Sequence, residues 1–166
     1  MTDKGQLLAD ACKRVVSDPK LAPQYDKKTG KLTATHCNRA ALLVAQAMGC
    51  AEFDRPAGSD PLLADKMIAL MASNSSGRWR KVSGADATIH ALGGGLAFAA
   101  KTSAELGAAH GHIAAVWPVG RQRSDSWRTD VPVLANVGKD NGMMRASKAF
   151  PVARGEPPYF AWDGPA

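Results

Sequence analysis

His90-Ala91-Leu92-Gly93-Gly94-Gly95-Leu96-Ala97-Phe98-Ala99-Ala100 is the stretch at which the hydrophobic period of the chain changes. Before the three glycines, apolar residues recur every three to four positions; after them the repeat is two. Upstream, Leu7, Leu8, Ala11, Val15 and Val16 predict a helix over Asp3 to Ser17, closed before Pro19. A second helix runs through Arg39 to Met48, entered by Thr35-His36-Cys37-Asn38, with Thr35 or its neighbour as cap and Gly49 as the left-handed stop. A third spans Asp60 to Ser73, with Asp60 as N-cap, Pro61 in the first turn and Asn74 to Gly77 as the closing turn. Arg78 to Val82 reads as a short strand and Ala85 to Leu92 as a short helix. Downstream, Leu96 to Ala100, His112 to Trp117, Val131 to Val137 and Tyr159 to Trp162 read as strands.

Helices first and strands afterwards predict an α+β fold, N-terminal helices packed on a largely antiparallel sheet, rather than alternating parallel units. The stretch from Asp18 to Ala34, with Pro19, Pro23, Gly30 and several lysines, reads as a long surface loop. The tail from Arg154, with Pro157, Pro158, Gly164 and Pro165, is expected to drape over the sheet through Tyr159, Phe160 and Trp162. No internal repeat or linker divides the chain. The expectation is one domain over 1–166: helix and loop 1–34, core 35–150, tail or strand 151–166.

The chain has 166 residues, 45% hydrophobic and 22% charged, which excludes collagen-like, coiled-coil and mainly disordered classes. Its longest apolar runs, Ala40 to Ala45 and Ile113 to Val119, fall far short of the roughly 18 residues that span a bilayer, so no membrane insertion is expected. The start, Met1-Thr2-Asp3-Lys4-Gly5-Gln6, lacks a secretory signal pattern, predicting synthesis in the cytoplasm. Three cysteines without a C-x-x-C pair argue against a disulfide scaffold or zinc knuckle. A net charge of +6 and a pI near 9.4 favour a polyanionic partner: nucleic acid, anionic membrane or bacterial cell wall.

Cys37 stands at a helix start, where unpaired backbone N–H groups and the helix dipole stabilise a thiolate. Cys12 lies inside the first helix and Cys50 follows a helix end, where the dipole raises the pKa; both read as structural. A thiolate nucleophile wants an imidazole in reach, and Gly111-His112-Ile113-Ala114-Ala115-Val116 presents His112 at the mouth of a strand. Asn136 is the one polar side chain within Pro132-Val133-Leu134-Ala135-Asn136-Val137-Gly138 and is suited to orienting that ring, with Asp130 and Asp140 as alternatives. His110, two residues before His112, leaves the identity of the base open. His36 is a poor base for its neighbour, and His90 reads as a satisfied core histidine. Cys37, His110 and His112 match no common zinc spacing, so neither a metal nor a cofactor is expected.

In order, these signals are a cysteine opening a buried helix, a Trp-containing segment, Gly-Gly-Gly-Leu-Ala-Phe-Ala-Ala, Gly-His-Ile-Ala-Ala-Val and a later strand bearing Asn. Over Thr35 to Phe150 that order resembles the papain-like peptidoglycan hydrolases of the NlpC/P60 and CHAP group. Two departures are plain: Gly94-Gly95-Leu96 lacks the Gly-Asp that usually opens the strand before the histidine, and His36-Cys37-Asn38 replaces the common Asp-Cys-Ser. The resemblance implies a papain-like core with Cys37 as nucleophile, His112 as base and Asn136 as third residue. Tyr25, His36, Asn38 and Trp117 become candidates for substrate binding or the oxyanion site. It further implies cleavage of an amide in bacterial peptidoglycan, after delivery to the wall as a phage lysin or as an injected amidase effector, the latter with an immunity protein as partner. The basic Arg121, Arg123 and Arg128, with Trp117 and Trp127, would rest on the anionic polymer.

Two rivals stand beside it. One is a papain-like amidase, deamidase or acyltransferase with a non-wall substrate. The other is a basic nucleic-acid-binding module using Arg78-Trp79-Arg80-Lys81 and the Arg121 to Arg128 segment. The chain has no helix-turn-helix, finger or RNP-like motif, so nucleic acid is not the expected partner.

Overall fold

In the computed structural model, which describes residues 2–151 and 155–164, Leu8, Ala11, Cys12 and Val15 form the buried face of helix α1 (Asp3–Ser17). Thr2 caps it, its hydroxyl accepting from the Gly5 N–H at 3.0 Å. Against α1 packs α2 (Cys37–Ala47), whose inward face is Ala40, Ala41, Val44 and Ala45. Small side chains there let the two helices approach closely. Next come α3 (Ala64–Ser73) and α4 (Gly84–Leu92), then the short α5 (Ser103–Leu106) and α6 (Ala146–Ala149). The strands are β1 (Gln24–Tyr25), β2 (Leu32–Ala34), β3 (Trp79–Val82), β4 (Leu96–Lys101), β5 (His112–Ser124), β6 (Thr129–Asn136), β7 (Gly142–Arg145) and β8 (Tyr159–Trp162).

β1 and β2 make a small hairpin, and the other six strands form one sheet in the order β3-β8-β4-β5-β6-β7. Every neighbouring pair in it is antiparallel. The expected α+β class with helices and an antiparallel sheet is therefore present. All six residues of β4 are buried, as a central strand covered on both faces requires.

Four local expectations change. The 18–34 stretch is structured: Pro19–Leu21 is a 3-10 turn, and Asp26 turns the β1-β2 hairpin by accepting from the N–H groups of Lys28 and Thr29 and from the Thr29 hydroxyl. Helix α3 starts at Ala64, not Asp60, with Leu63 at the N-cap position; the amide of Asn38 donates to the Leu62 carbonyl at 2.9 Å and holds the preceding segment out of the helix. β5 does not end at Trp117 but continues to Ser124, so Arg121 and Arg123 lie on a hairpin arm and Arg128 in its turn. The C-terminal residues Tyr159 to Trp162 do not drape over the sheet but enter it as β8 between β3 and β4. Arg154 and Pro165 lie outside the described residues.

An aromatic cluster fastens β8. Phe53 stacks on Trp79 with centroids 5.7 Å apart, and Trp162 lies 6.5 Å from Trp79. Both indole N–H groups donate to one carboxylate, that of Glu52, at 2.8 and 2.9 Å. Glu52→Ala leaves two sheltered donors without an acceptor and is expected to cost about 2–4 kcal/mol in urea unfolding, with Glu52→Gln losing roughly half as much.

Candidate active site

Helix α2 begins at Cys37, and its first turn abuts the start of β5. The Cys37 side chain is buried, with Sγ 3.9 Å from the Gly111 carbonyl oxygen. The backbone N–H groups of Ile113, Asn38 and Cys37 itself lie around the same sulfur and favour negative charge on it. The thiol thus touches the backbone on both sides of His112. Gly111 is required by space: a Cβ there would run into the Asp65 carboxylate and lie 2.9 Å from the Lys101 carbonyl.

His112 Nε2 lies 2.7 Å from Asn136 Oδ1, which joins the mouth of β5 to the end of β6. At the other end of that carboxamide, Nδ2 donates to the Asp140 carbonyl at 2.6 Å. A carbonyl only accepts, so the amide nitrogen must face Asp140 and the amide oxygen must face the ring. In the neutral imidazole Nε2 therefore carries the hydrogen, and Nδ1 holds the free lone pair. Phe150 lies over the ring at 4.9 Å between centroids, and a side chain at Gly138 would come within 3.3 Å of it. The ring has little freedom to turn.

Burial sets the resting charges. It pushes the Cys37 thiol above its ordinary value, outweighing the three backbone N–H groups that pull it down. It pushes His112 below its ordinary value, against the Asn136 hydrogen bond that raises it. Burial thus opposes the thiolate that the helix start and its backbone N–H groups favour, and it opposes the charged form of the imidazole as well. Cys12 and Cys50 are also raised, to about 12 and about 11, in both cases mainly by burial.

Cys37, Asn38, Asp65, His110 and Gly111 line a cleft of about 240 Å³. His110 is exposed at its rim, whereas His112 carries the bond to Asn136. Of the alternatives for the third residue, Asp140 contributes only its carbonyl, and Asp130 pairs with Arg123 out on the β5-β6 hairpin. His36 turns away toward Gln24, with Nε2 3.5 Å from the Gln24 amide nitrogen. Tyr25 bonds the Lys139 carbonyl at 3.4 Å and braces the loop beside His112 rather than lining the cleft. Trp117 sits five residues along β5, roughly 16 Å away, and packs on the core. His90 bonds the Trp162 carbonyl at 3.0 Å, a satisfied structural histidine. Phe150, Asp65 and the Asp140 carbonyl were not foreseen as parts of this site; only Gly111 signalled the close approach that Asp65 makes.

No protein-family model and no curated protein matches the chain. No helix among the described residues is long and apolar enough to cross a membrane.

His112 generates a stability prediction. Its folded pKa is depressed, so below the ordinary 6.5 the unfolded chain binds a proton that the folded site resists. Stability should fall as pH drops through 6.5 and gain nothing from this group above it. Urea midpoints at pH 7.5 and 5 test this: His112→Gln should shrink the drop.

Proposed function

We propose that the protein is a cysteine hydrolase with a papain-like core, of the NlpC/P60 and CHAP kind, that cleaves an amide in the peptide of bacterial cell wall. The observation that carries this reading is a helix-start thiol seated against the Gly111 carbonyl, next in the chain to an imidazole whose free nitrogen is Nδ1 and whose ring is oriented through Nε2 by an amide. Among the described residues no three His, Cys, Asp or Glu side chains gather as ligands.

In the proposed reaction His112 Nδ1 takes the Cys37 proton as Sγ attacks the amide carbonyl. The oxyanion forms against backbone N–H groups at the start of α2, which have no partner within the helix. Collapse of the tetrahedral intermediate breaks the C–N bond, and the imidazolium returns its proton to the leaving amine. A water deprotonated by the same nitrogen then releases the acyl group as a carboxylic acid and restores the thiol. Asn136 keeps Nε2 protonated throughout, so that both transfers use Nδ1.

The chain's charge of +6 suits an anionic wall polymer, with Arg121, Arg123 and Arg128 exposed on the β5-β6 hairpin. Delivery as a phage lysin or as an injected effector belongs to the same reading.

The test is incubation with purified peptidoglycan sacculi and mass spectrometry of the soluble products. Wild type should release peptide-bearing fragments whose masses name the bond. Cys37→Ala should release none, and His112→Ala should be slower by about 10²- to 10⁴-fold. Intact sacculi after treatment with folded wild type would overturn the wall substrate.

A further inference from the structure

The cleft at Cys37 differs in charge from the protein that surrounds it. Among the described residues that line it stand one carboxylate, Asp65, and no lysine or arginine. Asp65 is half-buried in the first turn of α3, with Oδ1 accepting from the Ser103 N–H at 2.9 Å and Oδ2 from the Ser103 hydroxyl at 2.5 Å. These bonds fix its direction and hold it ionised; the carboxyl lies below its ordinary range because of them, with His110 adding a smaller effect. Each carboxylate oxygen keeps a further lone pair. Among the described residues no lysine or arginine forms an ion pair with it.

Asp65 and Cys37 both meet Gly111. Gly111 carries the carbonyl 3.9 Å from Sγ, and the same glycine leaves open the space that the Asp65 carboxylate fills. Through that single residue the two groups lie within roughly 10 Å of each other. A chain of net charge +6 thus sets a fixed negative charge beside the reactive sulfur.

We infer that Asp65 is a specificity-determining residue that selects substrates bearing a cationic amine next to the bond attacked by Cys37. The inference rests on Cys37 being the nucleophile of the proposed reaction, and it narrows the substrate class to peptides with a free ammonium group near the scissile amide. Neutral or acylated counterparts lose that contact, and carboxylates are repelled.

The charge preference is measurable without a wall substrate. Cys37 is modified with a cationic reagent, 2-aminoethyl methanethiosulfonate, and an anionic one, 2-sulfonatoethyl methanethiosulfonate. In each case the thiolate attacks the sulfenyl sulfur, forms a mixed disulfide and expels methanesulfinate. Each rate is divided by that reagent's rate with free 2-mercaptoethanol, and Cys37→Ala subtracts any reaction at Cys12 or Cys50. The thiolate fraction is common to both reagents and cancels in their ratio. Coulomb's law in water at roughly 8 Å gives a cation-over-anion ratio of about sixfold at low salt. Asp65→Asn retains an acceptor for the Ser103 N–H, and its ratio should fall to one or below, since the remaining basic protein attracts anions.

A wild-type ratio at or below one overturns the inference, whether or not the variant folds; so does a ratio that Asp65→Asn leaves unchanged. A second arm compares cell-wall peptides with free and N-acetylated amines: wild type should show the lower KM for the free amine, and Asp65→Asn should erase the difference with kcat little altered. Equal KM values in wild type count against the inference. If no peptide is cut while the reagent ratio behaves as stated, the hydrolase reading fails and the cation-selecting cleft stands.

Discussion

The carboxamide of Asn136 makes two hydrogen bonds whose directions cannot be exchanged, and the chemistry of the site follows from that. One partner is a backbone carbonyl, which only accepts; the other is an imidazole, which must then donate. The tautomer of His112 is decided by a loop carbonyl two residues short of β7. That loop is itself held from outside: Asn141 accepts from the Gly138 N–H and donates to the Leu21 carbonyl, and Tyr25 reaches Lys139. The segment between α1 and α2 therefore braces the histidine through hydrogen bonds, while its Leu21 side chain packs in the core.

Burial competes with backbone polarity at the sulfur, and burial prevails. A helix N-terminus stabilises a nearby negative charge by about 0.3–1 kcal/mol in exposed settings, whereas full burial moves an ionisable group by as much as 3–5 pKa units. Cys37 lies on the buried side of that comparison, and His112, under Phe150, feels the same environment with opposite sign. Depressing the imidazole keeps it unprotonated at neutral pH and able to accept a proton, at the expense of its strength as a base. On the proposed reading, separation of charge is favoured only when a substrate arrives to share it.

Much of this arrangement was legible in the chain, and the parts that were not share a physical reason. The period change at Gly93-Gly94-Gly95 marks the step from α4 to β4, and Tyr159 to Trp162 reads as a strand with its observed limits. Cys37, His112 and Asn136 were each visible as a residue type out of keeping with its surroundings: a thiol at a helix start, an imidazole at a strand mouth, an amide in an apolar run. Asp65 and Phe150 sit where their own segments place no demand on them, and their roles come from which distant segment they meet. The start of α3 was misplaced because Asp60-Pro61 has the local form of a helix entry, while the competing bond from Asn38 comes from another helix. Place in the sheet was equally unreadable for β8, since nothing in four apolar residues says which strands will flank them.

Charge acts in this molecule at two ranges. At physiological salt, fields between exposed groups fade over about 8 Å, so the exposed arginines of the β5-β6 hairpin and the carboxylate of Asp65 do not sense one another as opponents. Arg121 stands nine residues along β5 from His112, about 30 Å of extended chain. A polyanion gathered by the basic surface would meet, at the cleft, a wall whose local sign is reversed. On the proposed reading the two requirements are compatible only for a substrate that carries both signs, anionic over its length and cationic near the bond to be cut. A uniformly anionic polymer such as nucleic acid would satisfy the surface and be repelled at the thiol.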